Sequence, residues 1–279
     1  MHGIVVMGAD GMLGRAWCEL LRQRGIPFEA PRRPAFDLSR TGSVAGVVHK
    51  GHELVINCAA YTDVDAAEND EPRALHVNGT AVGELAERCA RVGAMIVHYS
   101  TDYVFDGRAN RPYGRTSAQS PVNAYGRSKA WGEQLLRASR CAHLLVRTSW
   151  LYAPWGKNFV GSMRRLVRER SRLRVVHDQR GRPTSAEHLA RTTMALVEHG
   201  ERGVHHVSDG GECTWFELAR YVARFLEAGC DVEPCTSEEF PRPARRPAYG
   251  VLDIAETEAV VGPFPHWSDN VRSVLERYA

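Results

Sequence analysis

Near the start of the chain stands Ile4-Val5-Val6-Met7-Gly8-Ala9-Asp10-Gly11-Met12-Leu13-Gly14, a short apolar run that leads directly into a glycine-rich turn. An apolar run without alternation is typical of a strand buried on both faces of a parallel sheet. Glycines in such a turn allow a tight bend, a close approach of backbone N–H groups to a pyrophosphate, and close packing of the next helix. The segment therefore predicts a dinucleotide site formed by Gly8, Asp10, Gly11, Met12, Leu13 and Gly14.

Short apolar segments continue to alternate with helical patterns through the first half of the chain. We predict strands at residues 4–7, 53–57, 94–100 and 143–147, and helices at residues 12–24, 72–92 and 124–139. This order requires a parallel sheet with helices on both faces. The predicted fold class is α/β, a Rossmann-type doubly wound parallel sheet with a smaller C-terminal substrate-binding lobe.

The pattern changes after about Trp150, where glycine and proline become denser. We predict an NAD(P)-binding Rossmann domain at residues 1–148 and a substrate-binding lobe at residues 149–279, interleaved with the sheet. A strand at residues 174–177 and a helix at residues 185–198 are expected to return to the sheet, with residues 203–207 as its extension.

The bulk composition is that of an ordinary globular protein, since 43% of the 279 residues are hydrophobic, 25% are charged and the net charge is +3. So small a charge does not favour nucleic acid as a partner, and no apolar run approaches the ~20 residues of a membrane span. No export signal precedes the first strand, so we expect a cytoplasmic protein. The seven cysteines are scattered without a C-x-x-C pair, and they predict neither a disulfide framework nor a zinc site.

The residues around the second strand bear on which dinucleotide binds. Dinucleotide folds place an acidic residue near the end of this strand for NAD, or a basic residue nearby for the 2′-phosphate of NADP. In Phe28-Glu29-Ala30-Pro31-Arg32-Arg33 we expect Glu29 inside the strand and both arginines just beyond it. NADPH is therefore favoured, with Arg33 at the phosphate and NADH as the alternative. Asp37 is placed beside the adenine, with a turn or cap role as its alternative.

Tyr125 and Lys129 stand four residues apart at the start of a predicted helix, so their side chains share one face. An ammonium beside a phenol, with a cationic nicotinamide nearby, lowers the tyrosine pKa and makes the phenol a usable general acid. Thr101 directly follows the strand predicted at residues 94–100, at the same sheet edge as the glycine turn. Its hydroxyl can polarise a substrate carbonyl, and a local backbone contact is the alternative.

Longer segments of the sequence resemble the dTDP-4-dehydrorhamnose reductase family, within the extended short-chain dehydrogenases/reductases. The matching segments are Asn57-Cys58-Ala59-Ala60-Tyr61-Thr62-Asp63-Val64-Asp65-Ala66-Ala67-Glu68, Ser100-Thr101-Asp102-Tyr103-Val104-Phe105-Asp106-Gly107, Tyr125-Gly126-x-x-Lys129 and Arg147-Thr148-Ser149-Trp150-Leu151-Tyr152. Asn158-Phe159, Gly181-x-Pro183-Thr184 and Arg246-Pro247 follow, so the resemblance spans nearly the whole chain.

The resemblance implies a catalytic triad of Thr101, Tyr125 and Lys129, in which Tyr125 protonates a C4 oxygen and Lys129 also bonds the nicotinamide ribose. It implies that Asn78 supports these sites. Three further positions are expected to line the cofactor: Ala59, Ala60 and Thr62. Six positions are assigned to the sugar nucleotide, with Arg246 at its diphosphate: Asp102, Tyr103, Trp150, Asn158, Arg182 and Arg246. A core aromatic is the alternative for Trp150.

The chain departs from the family pattern in the loop before the tyrosine helix, where Arg115 stands in place of an acidic residue. Loop shape or substrate preference could differ for that reason. The resemblance also implies a homodimer, and some relatives bind Mg²⁺ between subunits through carboxylates. Glu187 matches one such position, but the rest of that site has no counterpart that we can align, and we assign no metal ligand.

Three functions are compatible with these residues. The first is NAD(P)H-dependent reduction of the C4 keto group of dTDP-4-dehydro-L-rhamnose to dTDP-L-rhamnose, as the family implies. The second is 4-ketoreduction of another dTDP-deoxysugar. The third is a non-catalytic regulatory subunit of the same fold, like the beta subunit of methionine adenosyltransferase. The presence of Thr101, Tyr125 and Lys129 together favours an enzyme.

Overall fold

The computed structural model describes residues 3–40 and 42–277. The strands in these residues are β1 (Ile4–Met7), β2 (Phe28–Glu29), β3 (Leu54–Asn57), β4 (Met95–Thr101), β5 (His143–Thr148), β6 (Leu151–Tyr152), β7 (Arg172–Val176), β8 (Arg180–Gly181), β9 (Thr184–Ser185), β10 (Gly203–His206), β11 (Cys213–Thr214) and β12 (Asp231–Cys235).

The helices are α1 (Met12–Gln23), α2 (Ala66–Asn69), α3 (Glu71–Leu75), α4 (Ala81–Val92), α5 (Ala124–Ala138), α6 (Phe159–Glu169), α7 (Ala186–Glu198), α8 (Trp215–Phe225), α9 (Ala255–Val261) and α10 (Trp267–Glu276). A π-helical segment, His76–Thr80, joins α3 to α4, and short 3-10 turns occupy Ser43–Gly46 and Asp102–Val104. Within the described ranges, no helix combines the length and apolarity needed to cross a membrane.

Six parallel strands form the central sheet in the order β10-β5-β4-β3-β1-β2. After β2 the chain crosses back over β1 to reach β3, so the direction of winding reverses between β1 and β3. In open α/β sheets ligands bind at the carboxyl ends of the strands beside such a switch point. The predicted doubly wound parallel sheet is confirmed.

The apolar run of β1 faces both layers of helices. Ile4 and Val6 pack in one core with Trp17 of α1, and the same core includes side chains of α7. Val5 and Met7 pack in the opposite core with side chains of α4 and α5. Burial of one such aliphatic side chain stabilises the fold by about 1.5–3 kcal/mol. The absence of polar alternation in β1 thus follows from burial on two sides.

The second half of the chain corrects one sequence prediction. The strand expected at residues 174–177 does not return to the central sheet, because β7 pairs with β12 in a separate two-stranded sheet. Its exposed arginines alternate with the buried Leu173 and Val175, which is the pattern of a strand with one wet face rather than a strand buried on both. In contrast, α7 packs on α1 and β10 pairs with β5, so this part of the chain does complete the central sheet.

The smaller layer beside the sheet has its own apolar core, to which α6, α8 and α10 contribute. Two short pairings, β6 with β9 and β8 with β11, connect this layer to the end of β5. The layer therefore borders the carboxyl edge of the sheet, where Ser149 and Trp150 follow β5 directly.

Candidate active site

A cleft of about 950 Å³ opens at the carboxyl ends of β1, β3, β4 and β5. Its lining contains most of the residues that the sequence predicted: Gly8, Asp10, Gly11, Met12, Leu13, Arg33, Asp37, Ala59, Ala60, Thr62, Thr101, Tyr125, Lys129 and Trp150. Six others among the described residues lie off the lining: Gly14, Asp102, Tyr103, Asn158, Arg182 and Arg246. The residues expected at the cofactor and the three expected at the chemistry are thus brought together.

Two glycines allow the turn after β1 to pack closely against the end of β3 and against α1. Gly8 has φ of +73°, and a Cβ there would lie 2.6 Å from the main-chain nitrogen of Ala59. At Gly14 a Cβ would overlap the carbonyl oxygen of Gly8. Any larger residue would therefore push the turn away from the end of β3 or from α1. Gly14 is a packing position beneath the turn, which explains why it does not line the cleft.

The amino end of α1 faces the cleft with open N–H groups. Gly11 is its N-cap, and within the described chain no side chain caps this end and no acidic residue occupies the first turn. Uncapped N–H groups and the positive end of the helix dipole attract anions. The turn and α1 therefore fit the pyrophosphate of a dinucleotide.

Both arginines after β2 lie at the rim of the cleft and are paired with nearby carboxylates. Arg33 Nε is 3.2 Å from Asp37 Oδ2, and Arg32 Nε is 3.2 Å from Asp10 Oδ1. Asp37 also accepts hydrogen bonds from the nitrogen and the hydroxyl of Ser39, which hold the pKa of Asp37 below its ordinary value. Asp37 thus lines the cleft and closes a turn, and its place beside the adenine stays a prediction.

Lys129 reaches the cleft from α5, which begins at the N-cap Asn123, whose side chain accepts from Gly126 N at 2.7 Å. Lys129 is only 2% exposed, and its Nζ donates to the main-chain carbonyl of Tyr99 at 2.7 Å. Burial lowers the pKa of Lys129 to about 8, and the charge of Glu133 acts in the opposite direction. The Lys129 ammonium therefore loses its proton at a pH closer to neutral than an ordinary lysine does.

Tyr125 lies one helical turn before Lys129 and also lines the cleft. Burial raises the pKa of Tyr125 above its ordinary value, the Asp102 charge raises it further, and the nearby Thr101 hydroxyl lowers it. The sequence predicted a lowered pKa in the presence of Lys129 and an oxidised nicotinamide. In the chain without a cofactor, Lys129 donates its hydrogen bond to the Tyr99 carbonyl, and burial raises the pKa of Tyr125 instead.

Thr101 ends β4 with its hydroxyl held in two directions. The hydroxyl donates to Asp102 Oδ1 at 3.0 Å and accepts from Tyr103 N at 3.1 Å. Burial raises the pKa of Asp102 to about 7. The Tyr103 ring lies edge-on to Tyr125 with centroids 5.8 Å apart. Asp102 and Tyr103 therefore lie behind Thr101 and Tyr125 rather than on the lining.

Asn78 connects the segments on which the site is built. Its Oδ1 accepts from Tyr61 N at 2.8 Å, and its Nδ2 donates to Tyr61 O at 2.9 Å and to Ser128 Oγ at 3.0 Å. A Cβ at Gly132 would overlap the Asn78 carbonyl, so glycine allows α5 to approach the π-helical segment. Asn78 thus ties the loop after β3 to α5, as expected of a supporting residue.

Three polar residues at the site were not predicted from the sequence. Lys157 and Arg73 line the cleft, and both are cations without an obvious motif. His98 lies in β4 beneath Lys129 and is buried. A histidine directly after the apolar Met95-Ile96-Val97 was the available signal, because a buried polar side chain in a parallel strand needs a partner.

Trp150 lies on the lining in a backbone conformation that is unusual for its residue type, with φ of +46°. Its ring stacks on Trp215 with centroids 3.5 Å apart, and a Cβ at Gly181 would lie 2.6 Å from it. Residues other than glycine that are kept at positive φ by their surroundings often mark functional positions. Trp150 is therefore both packed from behind and open to the cleft.

The other residues expected at the sugar nucleotide are engaged elsewhere. Asn158 caps α6, accepting from Gly161 N at 2.9 Å while its Nδ2 donates to Ala153 O at 2.9 Å. Arg246 Nη2 lies 3.0 Å from Asp65 Oδ1. Arg182 lines a second cavity of about 330 Å³ that also contains carboxylates. Their contacts with a substrate remain predictions.

Arg115 points away from the cleft, where the family pattern places an acid. Its guanidinium pairs with Glu256 and donates to Val204 O at 3.2 Å. Its own carbonyl accepts from Arg147 Nη1 at 3.0 Å. Arg115 therefore anchors the loop to β10 and α9 and places no charge on the cleft lining.

The candidate metal ligands among the described residues lie outside the cleft. Glu187 pairs with Arg277. Glu29, His49 and His52 place three possible metal-ligand atoms within 4.8 Å of one another. However, His52 Nδ1 accepts from His49 N at 3.3 Å, which leaves the ring proton on Nε2, the nitrogen that faces Glu29. Nε2 lies 3.3 Å from the Glu29 carboxylate without a hydrogen bond, and while it carries the proton it cannot bind a metal ion.

The switch-point cleft, the glycine turn and the Thr101–Tyr125–Lys129 set are the features of a short-chain dehydrogenase/reductase, an NAD(P)H-dependent oxidoreductase. Comparison with known proteins makes this more specific. The family model described as the RmlD substrate binding domain matches residues 1–279. The chain belongs to this family, which confirms the resemblance found in the sequence.

Individual relatives cover nearly the whole chain. A dTDP-4-keto-6-deoxy-D-glucose reductase from Streptomyces niveus is 43% identical over 95% of this chain and 93% of its own length. A dTDP-4-dehydrorhamnose reductase from Mycobacterium tuberculosis is 40% identical over 98% of this chain and 92% of its own. The crystal structure of dTDP-4-dehydrorhamnose reductase from Bacillus anthracis in complex with NADP superimposes with a TM-score of 0.94 at 33% identity, covering 99% of both chains.

Proposed function

We propose that this chain reduces the C4 keto group of dTDP-4-dehydro-L-rhamnose to give dTDP-L-rhamnose, with NADPH as the preferred reductant. The observation that carries the proposal is the convergence of Thr101, Tyr125 and Lys129 on one cleft whose other end is the glycine turn. The dTDP-4-dehydrorhamnose reductases among its relatives support the substrate.

The chain's own residues fit the cofactor from end to end. The amino end of α1 and the turn at Gly8 would hold the pyrophosphate, and Arg33 and Asp37 would hold the adenosine half. Ala59, Ala60 and Thr62 continue the lining toward Tyr125. When bound, NADPH supplies the hydride for C4. NADH is the weaker alternative, because Arg33 offers a contact only to a 2′-phosphate.

Tyr125 is the proton donor in this proposal. As the carbonyl carbon gains the hydride, the Tyr125 O–H bond breaks and its proton passes to the C4 oxygen. Burial disfavours the resulting phenolate, so the nearby positive charge on Lys129 is needed to stabilise it. The Thr101 hydroxyl, held in place by Asp102 and Tyr103 N, positions the carbonyl oxygen beside the phenol.

The sugar nucleotide is expected to enter from the substrate-binding lobe, residues 149–279, which is interleaved with the sheet, while residues 1–148 hold the cofactor. Trp150 borders the reacting end of the cleft. We propose that five further residues surround the substrate: Asp102, Tyr103, Asn158, Arg182 and Arg246. Arg246 forms an ion pair with Asp65, which it would have to leave in order to bind a diphosphate.

A second candidate is 4-ketoreduction of another dTDP-deoxysugar, because the Streptomyces niveus relative is named a dTDP-4-keto-6-deoxy-D-glucose reductase. Arg115 departs from the family pattern, but its pair with Glu256 lies off the cleft lining, so the support for this candidate is the relative itself. A regulatory subunit without activity is disfavoured, since Thr101, Tyr125 and Lys129 all lie on one cleft.

The deciding experiment supplies NADPH with two purified ketosugars in parallel, dTDP-4-dehydro-L-rhamnose and dTDP-4-keto-6-deoxy-D-glucose, and follows the absorbance of the reduced nicotinamide. We expect faster oxidation with the rhamnose precursor, and NMR of the product to show dTDP-L-rhamnose. Faster turnover of the glucose derivative would establish the second candidate. NADPH binding with no oxidation by either sugar would overturn both.

We also propose that the protein is a cytoplasmic homodimer, as its family resemblance implies. Sedimentation velocity at micromolar concentration tests the dimer, and a single species at the mass of one chain, 31.1 kDa, would contradict it.

A further inference from the structure

His98 lies beneath the site, between two strands and α5, and is 1% exposed. It is the neighbour of Asn57 across the β3–β4 pairing. Its Nδ1 is 3.1 Å from Asn57 Nδ2, and its Nε2 is 3.5 Å from Lys129 Nζ. The ring therefore connects the end of β3 to the lysine expected at the chemistry.

The amide of Asn57 fixes which nitrogen of His98 carries the proton. The Ala59 N–H donates to Asn57 Oδ1 at 3.1 Å, which turns Asn57 Nδ2 toward the ring. Because Nδ2 offers only protons, Nδ1 of His98 must accept and carries none. Burial and the charge of Lys129 hold the pKa of His98 well below its usual range, so the neutral ring keeps one proton, on Nε2.

That proton points at Lys129 Nζ. An ammonium has three protons and no lone pair, whereas a neutral amine can accept a hydrogen bond. One Nζ proton is already donated to the Tyr99 carbonyl. An N–H group of His98 directed at Nζ therefore opposes the ammonium and matches the amine.

The other groups around Lys129 act differently. Glu133, four residues along α5, favours the ammonium, and it is bonded by Arg147 of β5. Tyr125, one turn earlier on α5, is a neutral phenol while its pKa is raised. The π-helical segment contributes Asn78, an uncharged amide bonded to Ser128. Among these groups of the described chain, His98 is the one whose N–H group is directed at Nζ and favours the amine.

We propose that His98 is a positioning residue for Lys129. The Nε2–H group of His98 faces Lys129 Nζ, stabilises the amine form of Lys129 and lets it exchange protons near neutral pH. The inference rests on the proposed role of Lys129 for its consequence in turnover. The arrangement of protons itself does not depend on any substrate.

The tautomer of His98 is measurable by ¹⁵N NMR of histidine-labelled protein without ligands. The His98 signals are assigned as those lost in His98→Met. We expect a protonated Nε2 and an unprotonated Nδ1 between about pH 6 and pH 8. A proton on Nδ1 would overturn the proposal.

The ionisation of Lys129 can be followed directly, because the chain contains only three lysines, Lys50, Lys129 and Lys157. Labelling lysine Cε with ¹³C gives three signals, which Lys50→Arg and Lys157→Arg assign. In His98→Met no N–H faces Nζ, and we expect the Lys129 midpoint to rise by about one pH unit or more. An unchanged midpoint would show that His98 does not act on Lys129.

Two further variants keep this test decisive. His205→Met removes another buried imidazole, on β10 and away from the cleft lining, and should leave the Lys129 midpoint unchanged. If His98→Met does not fold, His98→Phe replaces it, because a planar ring without nitrogen also presents no N–H group to Nζ and adds no charge. The midpoint should rise again, whereas a constant midpoint would refute the proposal.

Activity separates this inference from the proposed function. If both hold, the alkaline limb of the reduction rate moves upward with the Lys129 midpoint in His98→Met. A shifted midpoint in a protein that reduces no ketosugar would support the inference and count against the proposed function.

Discussion

The Thr101 hydroxyl donates a hydrogen bond of 3.0 Å to the Asp102 carboxyl group, and both residues are buried at the end of β4. This contact directs the Thr101 proton away from the cleft whenever Asp102 is ionised. Burial raises the pKa of Asp102 to about 7, so the two forms of this pair coexist near neutral pH. Ionisation of this carboxyl group thus strengthens the contact that orients a hydroxyl that we place at the substrate.

Asp102→Asn should change how stability depends on pH. The pKa of Asp102 is higher in the folded chain than in the unfolded chain, so its stabilising effect is complete below about pH 4 and is lost as the pH rises to about 7. Relative to the wild type, the variant should therefore gain roughly 3 kcal/mol in its free energy of unfolding between about pH 5 and pH 8. Urea unfolding at both pH values measures this.

Asp106→Asn is the matched control for Asp102→Asn. A hydrogen bond from Tyr113 lowers the pKa of Asp106, so its contribution is already complete above about pH 4. The difference between this variant and the wild type should be constant across the same range. If the free energy of unfolding of Asp102→Asn also ran parallel to that of the wild type across this pH range, the pKa of Asp102 would not be raised.

Tyr125→Phe should remove turnover and spare cofactor binding. The ring remains to line the cleft while the proton donor is lost, so we expect kcat to fall by about 10²-fold or more. Fluorescence titration should show a nearly unchanged Kd for NADPH. Tyr113→Phe deletes an equivalent hydroxyl, bonded to Asp106 and off the cleft lining, and should retain kcat. A loss of NADPH affinity that matches the loss of turnover would contradict a role in proton transfer.

Arg33→Ala should weaken NADPH more than NADH. The exposed pair that Arg33 forms with Asp37 is worth little in water, which leaves the guanidinium free to bind a 2′-phosphate. Loss of one charge-assisted contact predicts a Kd for NADPH about 10- to 100-fold higher, with that for NADH almost unchanged. Arg40→Ala, an exposed arginine off the lining, is the control. Equal effects on both cofactors would exclude a phosphate contact at Arg33.

The sequence was sufficient for features that depend on local pattern and on parallel topology. Gly8 and Gly14 could be recognised because no other residue fits a turn that lies against β3 and α1. Thr101 and Tyr125 are far apart in the chain, yet they could be placed together because the carboxyl ends of parallel strands share one edge.

Other features depend on which partner a side chain finds, and local pattern does not encode that. The strand around Leu173 resembled a returning sheet strand until its partner proved to be β12. Asn158 matched a family position, but its side chain caps α6. His98 became informative only when β3 and α5 placed Asn57 and Lys129 on either side of it.

The buried pair of Arg147 and Glu133 provides a last prediction, about stability. Two hydrogen bonds, of 2.9 Å and 2.7 Å, join the guanidinium to the carboxylate, and both side chains are almost fully buried. Arg147→Met leaves the Glu133 charge buried without its partner, which should lower the free energy of unfolding by about 3–5 kcal/mol. Urea unfolding measures the change.

The double variant Arg147→Met with Glu133→Gln should recover much of that loss, because no uncompensated charge remains inside. Arg165→Met breaks the exposed pair with Glu169 and should cost less than about 1 kcal/mol. If the double variant were as unstable as Arg147→Met alone, the loss would stem from packing around Phe105, over whose ring the Arg147 guanidinium lies, rather than from the orphaned charge.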